Sequence, residues 1–275
     1  MSDDDDDDDR GLLRPPVVAW WTLLLALVCA ATIIALIVGI YVGVVSPIVA
    51  VVVGSVACFA GFTPVHEASH RSASRIAVVN EATGHLCSTL LTGAFTPYRW
   101  LHLEHHKHTN DVDQDPDHWS GRGPSWLLPL RWVTQDVGYL AFYGRRWRDR
   151  PSAERANLAI ATAGYAGVFV GSFAVDRDLF VGLVAGWFVP ARVALFALAC
   201  TFDWLPHAPH IVTAAVDRHR ATVVRSASVW TWLLLGQNHH LVHHLYPAVP
   251  FHRLARVWRA RKQELLAHGA VDKSA

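Results

Sequence analysis

Long runs without a charged residue constrain this chain more than any other feature. Residues 17–45 contain no charge, and residues 47–65 and 156–175 form two further uncharged runs. A fourth run, residues 179–202, is interrupted only by Pro190 and Arg192. At about 1.5 Å per residue, helices of these lengths cross a hydrocarbon core of about 30 Å. The sequence therefore predicts an all-α integral membrane protein with four transmembrane helices.

Composition agrees with a lipid environment. Only 17% of the 275 residues are charged, against about 25% in soluble proteins. The 12 tryptophans suit membrane interfaces, where an amphipathic ring lies at headgroup depth. A net charge of +1 gives no reason to expect nucleic acid as a partner.

Short polar connections separate the spans in pairs. Ser46 and Pro47 divide the first two runs, and residues 176–178 (Asp-Arg-Asp) divide the last two. Such connections predict two antiparallel helical hairpins. Most basic residues lie on the opposite side from these turns, so the positive-inside rule predicts a multi-pass protein of the cytoplasmic membrane with both termini cytoplasmic.

These patterns predict three regions. Residues 1–16 are expected to be a disordered acidic cytosolic tail, because their run of aspartates cannot bury itself. Residues 17–254 form the membrane domain, whose hairpins carry a helical cap on the cytoplasmic face. Residues 255–275 are expected to be a basic C-terminal cytosolic tail.

The histidines are concentrated in segments predicted to lie on one face of the membrane. Nine of them occur at helical spacing, or four residues from an acid: His66 and His70; His102, His105 and His106; His207; His240, His243 and His244. Positions i, i+3 and i+4 of a helix point the same way and can converge on one point. Nine imidazoles exceed the four ligands of a structural zinc site, whereas two metals with four or five each use the whole set. Imidazole binds iron, copper, zinc and nickel, so ligand type leaves the metal open.

Two further histidines stand close to this set. His239 is also four residues from His243. His240 is nevertheless preferred as a ligand, because His240, His243 and His244 repeat the i, i+3, i+4 spacing that begins at His102. Glu81 and His85 are four residues apart and could reach the site, although an orienting or structural role is favoured.

Carboxylates accompany the histidines. The acidic run that begins at Asp111 does not fit an EF-hand, because Pro116 stands where that loop needs glycine. We expect Asp111, Asp113, Asp115 and Asp117 to orient imidazoles or cap a loop. Asp203, four residues before His207, is expected to orient it or to bind metal directly or through water.

Arg192 is the one charge within the fourth run. It stands about 16 Å from Asp203 at 1.5 Å per residue, and a charge at such depth usually faces a partner or a cavity. Either the helix is displaced outward, or Arg192 marks the closed end of a substrate channel. Pro190 favours a local break, since it frees a backbone carbonyl.

The histidine motifs resemble those of the membrane fatty acid desaturase/hydroxylase superfamily. The resemblance extends from about residue 63 to residue 254 and rests on "HEASH" at 66–70, "HLEHH" at 102–106, "FDWLPH" at 202–207 and "GQNHHLVHHLYP" at 236–247. Within the superfamily, the last two motifs are most similar to β-carotene-type hydroxylases. Glu67 and His239 depart from the usual pattern, which more often has aspartate and an aromatic residue there.

The resemblance implies a chemistry. It implies two iron ions in a di-iron centre held by the nine imidazoles, O2 as co-substrate and an external electron donor such as ferredoxin. It implies no catalytic residue beyond the metal centre. The substrate is expected to be a lipid or carotenoid, with carotenoid hydroxylation favoured and fatty acyl-lipid desaturation as the alternative. A metal transporter is a remote alternative, because its ionisable residues would follow a path through the bilayer midplane.

Overall fold

The computed structural model describes residues 11–274 and is predominantly helical. From residue 20 onward the helices are α1 (Trp20–Tyr41), α2 (Pro47–Ser69), α3 (Ala77–Leu90), α4 (Phe95–His108), α5 (Leu128–Val133), α6 (Gln135–Arg145), α7 (Ser152–Val175), α8 (Arg177–Trp204), α9 (Ser228–Leu233), α10 (His240–Leu245) and α11 (Phe251–Ala267). Short 3-10 turns occupy Pro116–Gly121, Ser125–Leu127, Trp147–Asp149 and Gln237–His239. Two short strands, β1 (Val223–Val224) and β2 (Val271–Asp272), pair in parallel.

Four of these helices, α1, α2, α7 and α8, are long and apolar enough to cross a membrane. The four predicted spans are therefore confirmed as helices of membrane-spanning length. The polar residues between them cap the helices that follow: Ser46 Oγ accepts a hydrogen bond from the amide of Val49, and Asp176 accepts one from the amide of Leu179. Both are N-caps, which satisfy amides that a helix start leaves unpaired.

Small residues bring α8 close to α1. A Cβ atom at Gly182 would lie 2.9 Å from the carbonyl oxygen of Ile37, and one at Gly186 would lie 3.1 Å from its amide nitrogen. The two glycines are four residues apart, as in small-xxx-small contacts between membrane helices. This contact joins the fourth span to the first, in addition to the packing of α8 against α2.

Helix α8 is continuous but not uniform. It contains π-helical turns at Val184–Phe188 and Ala199–Trp204, on either side of an α-helical part, Val189–Leu198. Pro190 lies just after the first π turn, where the wider ladder accommodates a residue without an amide donor. The local break expected at Pro190 is thus a π turn, and Arg192 remains within the helix.

The chain after residue 254 packs against α10, the helix that carries His240, His243 and His244. The boundary predicted at residue 254 falls inside α11, whose buried Val257, Trp258 and Leu265 share an apolar cluster with Leu241 and Val242 of α10. The basic residues of this segment alternate with those apolar ones, so one helix has both a charged and a buried face. The acidic run at residues 3–9 lies outside the described residues, whereas Leu12 is buried in the same cluster.

Candidate metal centre

Four parts of the fold carry the histidines to one place. His66 lies in the last turn of α2 and His70 directly follows that helix. His207 lies just past the end of α8. Helix α4 carries the triplet His102, His105 and His106, and helix α10 carries the triplet His240, His243 and His244. The membrane-spanning helices thus deliver three imidazoles at their ends, and the two shorter helices add six from the side.

The nine predicted histidines form two groups. The first contains His66, His70, His102, His106 and His243, and the second contains His105, His207, His240 and His244. In each group the ligand nitrogens lie within 4.8 Å of one another. Each triplet divides in the same way: its i, i+4 pair enters one group and its middle histidine enters the other. Helical spacing thus produces two neighbouring sites from two triplets.

The ring nitrogens have the spacing that a bound metal requires. Nε2 atoms are 2.7 Å apart in the His70–His102 pair and 2.9 Å apart in the His106–His243 pair. In the second group, His240 Nε2 is 3.0 Å from His207 Nε2 and 3.1 Å from His244 Nε2. Nitrogens bound at about 2.0–2.1 Å from one ion are naturally about 3 Å apart.

An unsatisfied nitrogen supports the same conclusion. Nε2 of His66 is buried and has no hydrogen-bond partner within the part of the chain that the structure describes. Buried polar atoms are rarely left in this state, and a metal ion would satisfy this one. The residues present therefore fit a pair of metal ions held by imidazole.

Burial keeps most of these imidazoles in the form that binds metal. It lowers the pKa of His70 and of His240 to about 3, with a further contribution from nearby His105. Burial and neighbouring imidazoles also hold the pKa of His102 and of His243 well below the ordinary value. At neutral pH these rings are uncharged and have a free lone pair.

His105 differs because two carboxylates face it. Its Nδ1 lies 2.8 Å from Asp115 and 3.4 Å from Asp117. Burial alone would lower the pKa of His105, but these carboxylates outweigh it and raise the pKa to about 9. Asp115 is itself fixed by the amides of Asn110 and Asp117, at 2.7 and 2.8 Å. With Nδ1 held by Asp115, Nε2 of His105 faces Nε2 of His244 at 3.3 Å.

Two residues beside the groups were not predicted from the sequence. The side-chain amide of Gln237 lies 3.5 Å from Nδ1 of His66, and the ring of Tyr98 stacks on His102 with centroids 5.7 Å apart. Tyr98 stands four residues before His102, so helical spacing could have indicated it. Gln237 offers no such signal, because 171 residues separate it from His66.

Three of the additional predicted residues lie apart from both groups. Asp111 caps a turn by accepting hydrogen bonds from the amides of Asp113 and Gln114. Glu81 forms an ion pair with Arg99 at 2.6 Å, and the ring of His85 meets that of Phe95 edge-on. Within the acidic run it is Asp115 and Asp117, rather than Asp111, that face an imidazole.

His239 and Asp203 also have distinct surroundings. His239 is buried and its Nδ1 lies 3.2 Å from the carbonyl oxygen of Gly236, so it belongs to neither group. Asp203 is buried in the wall of a cavity and is likewise a member of neither group. His240, by contrast, belongs to the second group.

A cavity of about 460 Å³ lies against the first group. Phe62 and Tyr98 line it and also touch the histidines: the ring centroids of Phe62 and His66 are 5.5 Å apart, and Tyr98 stacks on His102. Most of the other lining residues are apolar, which suits a hydrocarbon. Arg192 also lines this cavity, which agrees with the channel interpretation of its charge.

The fold and the site together define a membrane-spanning helical protein with a polyhistidine centre beside an apolar cavity. The chain belongs to the fatty acid desaturase family, since the family model with the description "Fatty acid desaturase" matches residues 42–274.

Among individual relatives of this chain are desaturases and a beta-carotene ketolase. An sn-1 oleoyl-lipid 12-desaturase of Anabaena variabilis is 26% identical over 215 residues, covering 69% of this chain and 61% of that protein. A beta-carotene ketolase of Paracoccus sp. (strain N81106 / MBIC 01143) is 32% identical over 183 residues, covering 64% of this chain and 63% of that protein. A dihydrorhizobitoxine desaturase of Bradyrhizobium elkanii is 24% identical over 227 residues, covering 74% and 64%. The chain thus spans less than two thirds of the length of each.

Proposed function

We propose that this protein uses O2 to oxidise an unactivated C–H bond of a lipid, and that its preferred reaction is the hydroxylation of a carotenoid. The observation that carries the proposal is the contact between the first histidine group and the apolar cavity. Phe62 and Tyr98 belong to both, so a hydrocarbon in the cavity lies next to the imidazoles.

The nine histidines would hold two iron ions, five imidazoles around one and four around the other. A di-iron centre supplies the activation of O2 that oxidation of such a bond requires. Asp115 and Gln237 keep the rings of His105 and His66 aimed at their groups. Asp203 lies at the cavity wall, where a direct or water-mediated contact with a metal remains part of the proposal.

The cavity would position the substrate. Apolar walls from α2, α4, α7 and α8 bind a hydrocarbon that forms no hydrogen bonds, and they exclude water from the reacting carbon. Orientation by the walls then selects which carbon faces the imidazoles. In hydroxylation one oxygen atom enters the C–H bond and the other leaves as water, so electrons must be supplied by a donor such as ferredoxin.

The comparisons support two substrates. Two beta-carotene ketolases are 32% and 33% identical to this chain, which favours a carotenoid. The family description and several oleoyl-lipid desaturases, at 25–27% identity, support desaturation of a fatty acyl lipid to a comparable degree. Desaturation would use the same site but remove a second hydrogen from the neighbouring carbon.

The membrane arrangement that we propose has two hairpins, α1–α2 and α7–α8, with the histidine-bearing layer and both termini on the cytoplasmic side. The packing of α1 on α2 and of α7 on α8 supports the hairpins. Arg145, Arg146 and Arg148 lie in the loop between the hairpins, which supports the sidedness. This arrangement places the centre where a soluble electron donor can reach it.

Expression in cells that accumulate β-carotene tests the function. Pigments and total fatty acids are both analysed by mass spectrometry, with His243→Ala as the inactive control. A hydroxylated carotenoid that depends on His243 supports the preferred reaction. New double bonds in the acyl lipids, with unchanged pigments, would replace it by the desaturase alternative.

A further inference from the structure

Arg192 belongs to a polar cluster in the lining of the cavity, eleven positions of α8 before Asp203. Its guanidinium forms an ion pair with Asp136 of α6 and donates a hydrogen bond to Thr92 Oγ1 at 2.9 Å. All three residues line the cavity, whose walls are otherwise mostly apolar. Asp136 and Thr92 come from separate segments, so three parts of the chain bring polar groups together at this point.

One donor in this cluster is not used. Nε of Arg192 is buried, and the described residues offer it no hydrogen-bond partner. Buried donors without a partner are rare in folded proteins. Nε itself is enclosed by protein atoms, but the Arg192 side chain is 27% exposed and that of Asp136 is 40% exposed, so the pair presents other polar atoms to a molecule in the cavity.

The charges of the cluster indicate what kind of oxygen it binds. The carboxylate of Asp136 already balances the guanidinium, so the pair has no net charge. A second carboxylate would face Asp136 and be repelled, whereas the oxygen of an ester, ketone or hydroxyl group would accept a hydrogen bond without that repulsion. The cluster therefore favours a neutral acceptor over an anion.

We propose that Arg192, Asp136 and Thr92 bind a neutral oxygen of the substrate and thereby set how far along its hydrocarbon the oxidised carbon lies. The proposal rests on the proposed function, because it takes the cavity as the substrate site. Arg192 and Asp203 are separated by eleven positions of α8, about 16 Å at 1.5 Å per residue. The substrate class is an elongated apolar molecule with a neutral oxygen, either an acyl ester or an oxygenated carotenoid.

Binding measurements on the full-length protein in lipid nanodiscs test whether this cluster anchors the substrate by a neutral oxygen. The readout is displacement of a fluorescent hydrocarbon from the cavity. One set of probes has a common chain: methyl oleate with a neutral ester, oleate with a carboxylate, and octadecene with no oxygen. A second set contains β-carotene and its monohydroxylated form. The two sets distinguish an acyl ester from an oxygenated carotenoid as the source of the oxygen.

In the unmodified protein, at least one neutral-oxygen probe is expected to bind about tenfold or more tightly than its hydrocarbon counterpart. Arg192→Leu is expected to remove that preference. Asp136→Asn keeps the shape of the pair but leaves the guanidinium uncompensated, so oleate should gain on methyl oleate by about tenfold. Arg177→Leu is the matched control, because Arg177 begins the same helix, is exposed and lies outside the cavity lining.

The proposal is overturned if the oxygen preference is the same in Arg192→Leu as in the unmodified protein for both sets of probes. If Arg192→Leu does not fold, an unchanged ratio of oleate to methyl oleate in Asp136→Asn overturns it instead. Oxidation of the probes is measured separately. An Arg192-dependent preference without any oxidised product refutes the reaction and keeps the anchor, whereas product formation without the preference refutes the anchor and keeps the reaction.

Discussion

The carboxylate of Asp115 lies 2.8 Å from Nδ1 of His105, and each of the two side chains is only 2% exposed. This contact aims the other ring nitrogen of His105 at the second histidine group. Replacing Asp115 by alanine should therefore lower iron content from about two per chain towards one, since loss of an orienting partner typically weakens metal affinity about 10–100-fold. Elemental analysis of the purified protein measures it. Asp111→Ala is the control, because Asp111 caps a turn in the same run. Equal loss in both variants would contradict the role of Asp115.

The two histidine groups should be separable by single substitutions. His243→Ala removes a ligand from the first group and His240→Ala removes one from the second, so each is expected to lose metal from its own group and to lose activity. Iron content and the spectrum of the protein after cobalt substitution measure the occupancy. His85→Ala is the control, because His85 is exposed and contacts only Phe95 in the ring contacts of the described residues. Full occupancy in the His243 and His240 variants would refute the assignment of ligands.

Glu67 ties three parts of the fold together within the first histidine motif. Its carboxylate accepts hydrogen bonds from the hydroxyl of Thr22 and from the backbone amide of Phe251. Glu67→Ala leaves both buried donors unpaired and should reduce the free energy of unfolding by about 2–5 kcal/mol. Glu67→Asp, one methylene shorter, should lose one of the two bonds and fall in between. Thermal unfolding in detergent ranks the stabilities of the two variants and the unmodified protein. An aspartate variant as stable as the unmodified protein would show that the longer side chain of Glu67 is not needed.

The close approach of α1 and α8 depends on Gly182. A larger side chain there meets the backbone oxygen of Ile37, which cannot move aside as a side chain would, so Gly182→Leu should destabilise the protein by about 1–3 kcal/mol. Gly164→Leu on α7 is the control, since an added Cβ at Gly164 has no atom within 4 Å. The measurement is the midpoint of thermal unfolding. Similar midpoints for the two variants would indicate that the helices separate without cost.

Both chain termini are expected to lie in the cytoplasm. The basic residues of the loop between the hairpins motivate this expectation. Fusions of a reporter that is active on only one side of the membrane, placed at residue 1 and at residue 275, measure it. A signal from opposite sides would mean an odd number of crossings and would contradict the two-hairpin arrangement.

Much of this architecture could be predicted from local pattern. A run of uncharged residues has one stable form in a bilayer, a helix whose backbone groups bond to each other, so four runs predicted four membrane-length helices. The helical period likewise determined which histidines lie on one face of each helix, so the nine imidazoles could be selected before any contact was known. A local break at Pro190 was predicted, but its form as a π turn was not, and neither was the packed helix after residue 254, because both depend on neighbours distant in the chain.

The sequence by itself therefore determined the four membrane-length helices and which histidines share one face of a helix. Only the tertiary structure decided how each triplet divides between two groups, that Asp115 rather than Asp111 contacts His105, and that Arg192 pairs with Asp136 across 56 residues. The physical reason is that period and charge describe one helix at a time. Which face meets which neighbour depends on how separate helices pack, and that is settled by contacts between residues far apart in the chain.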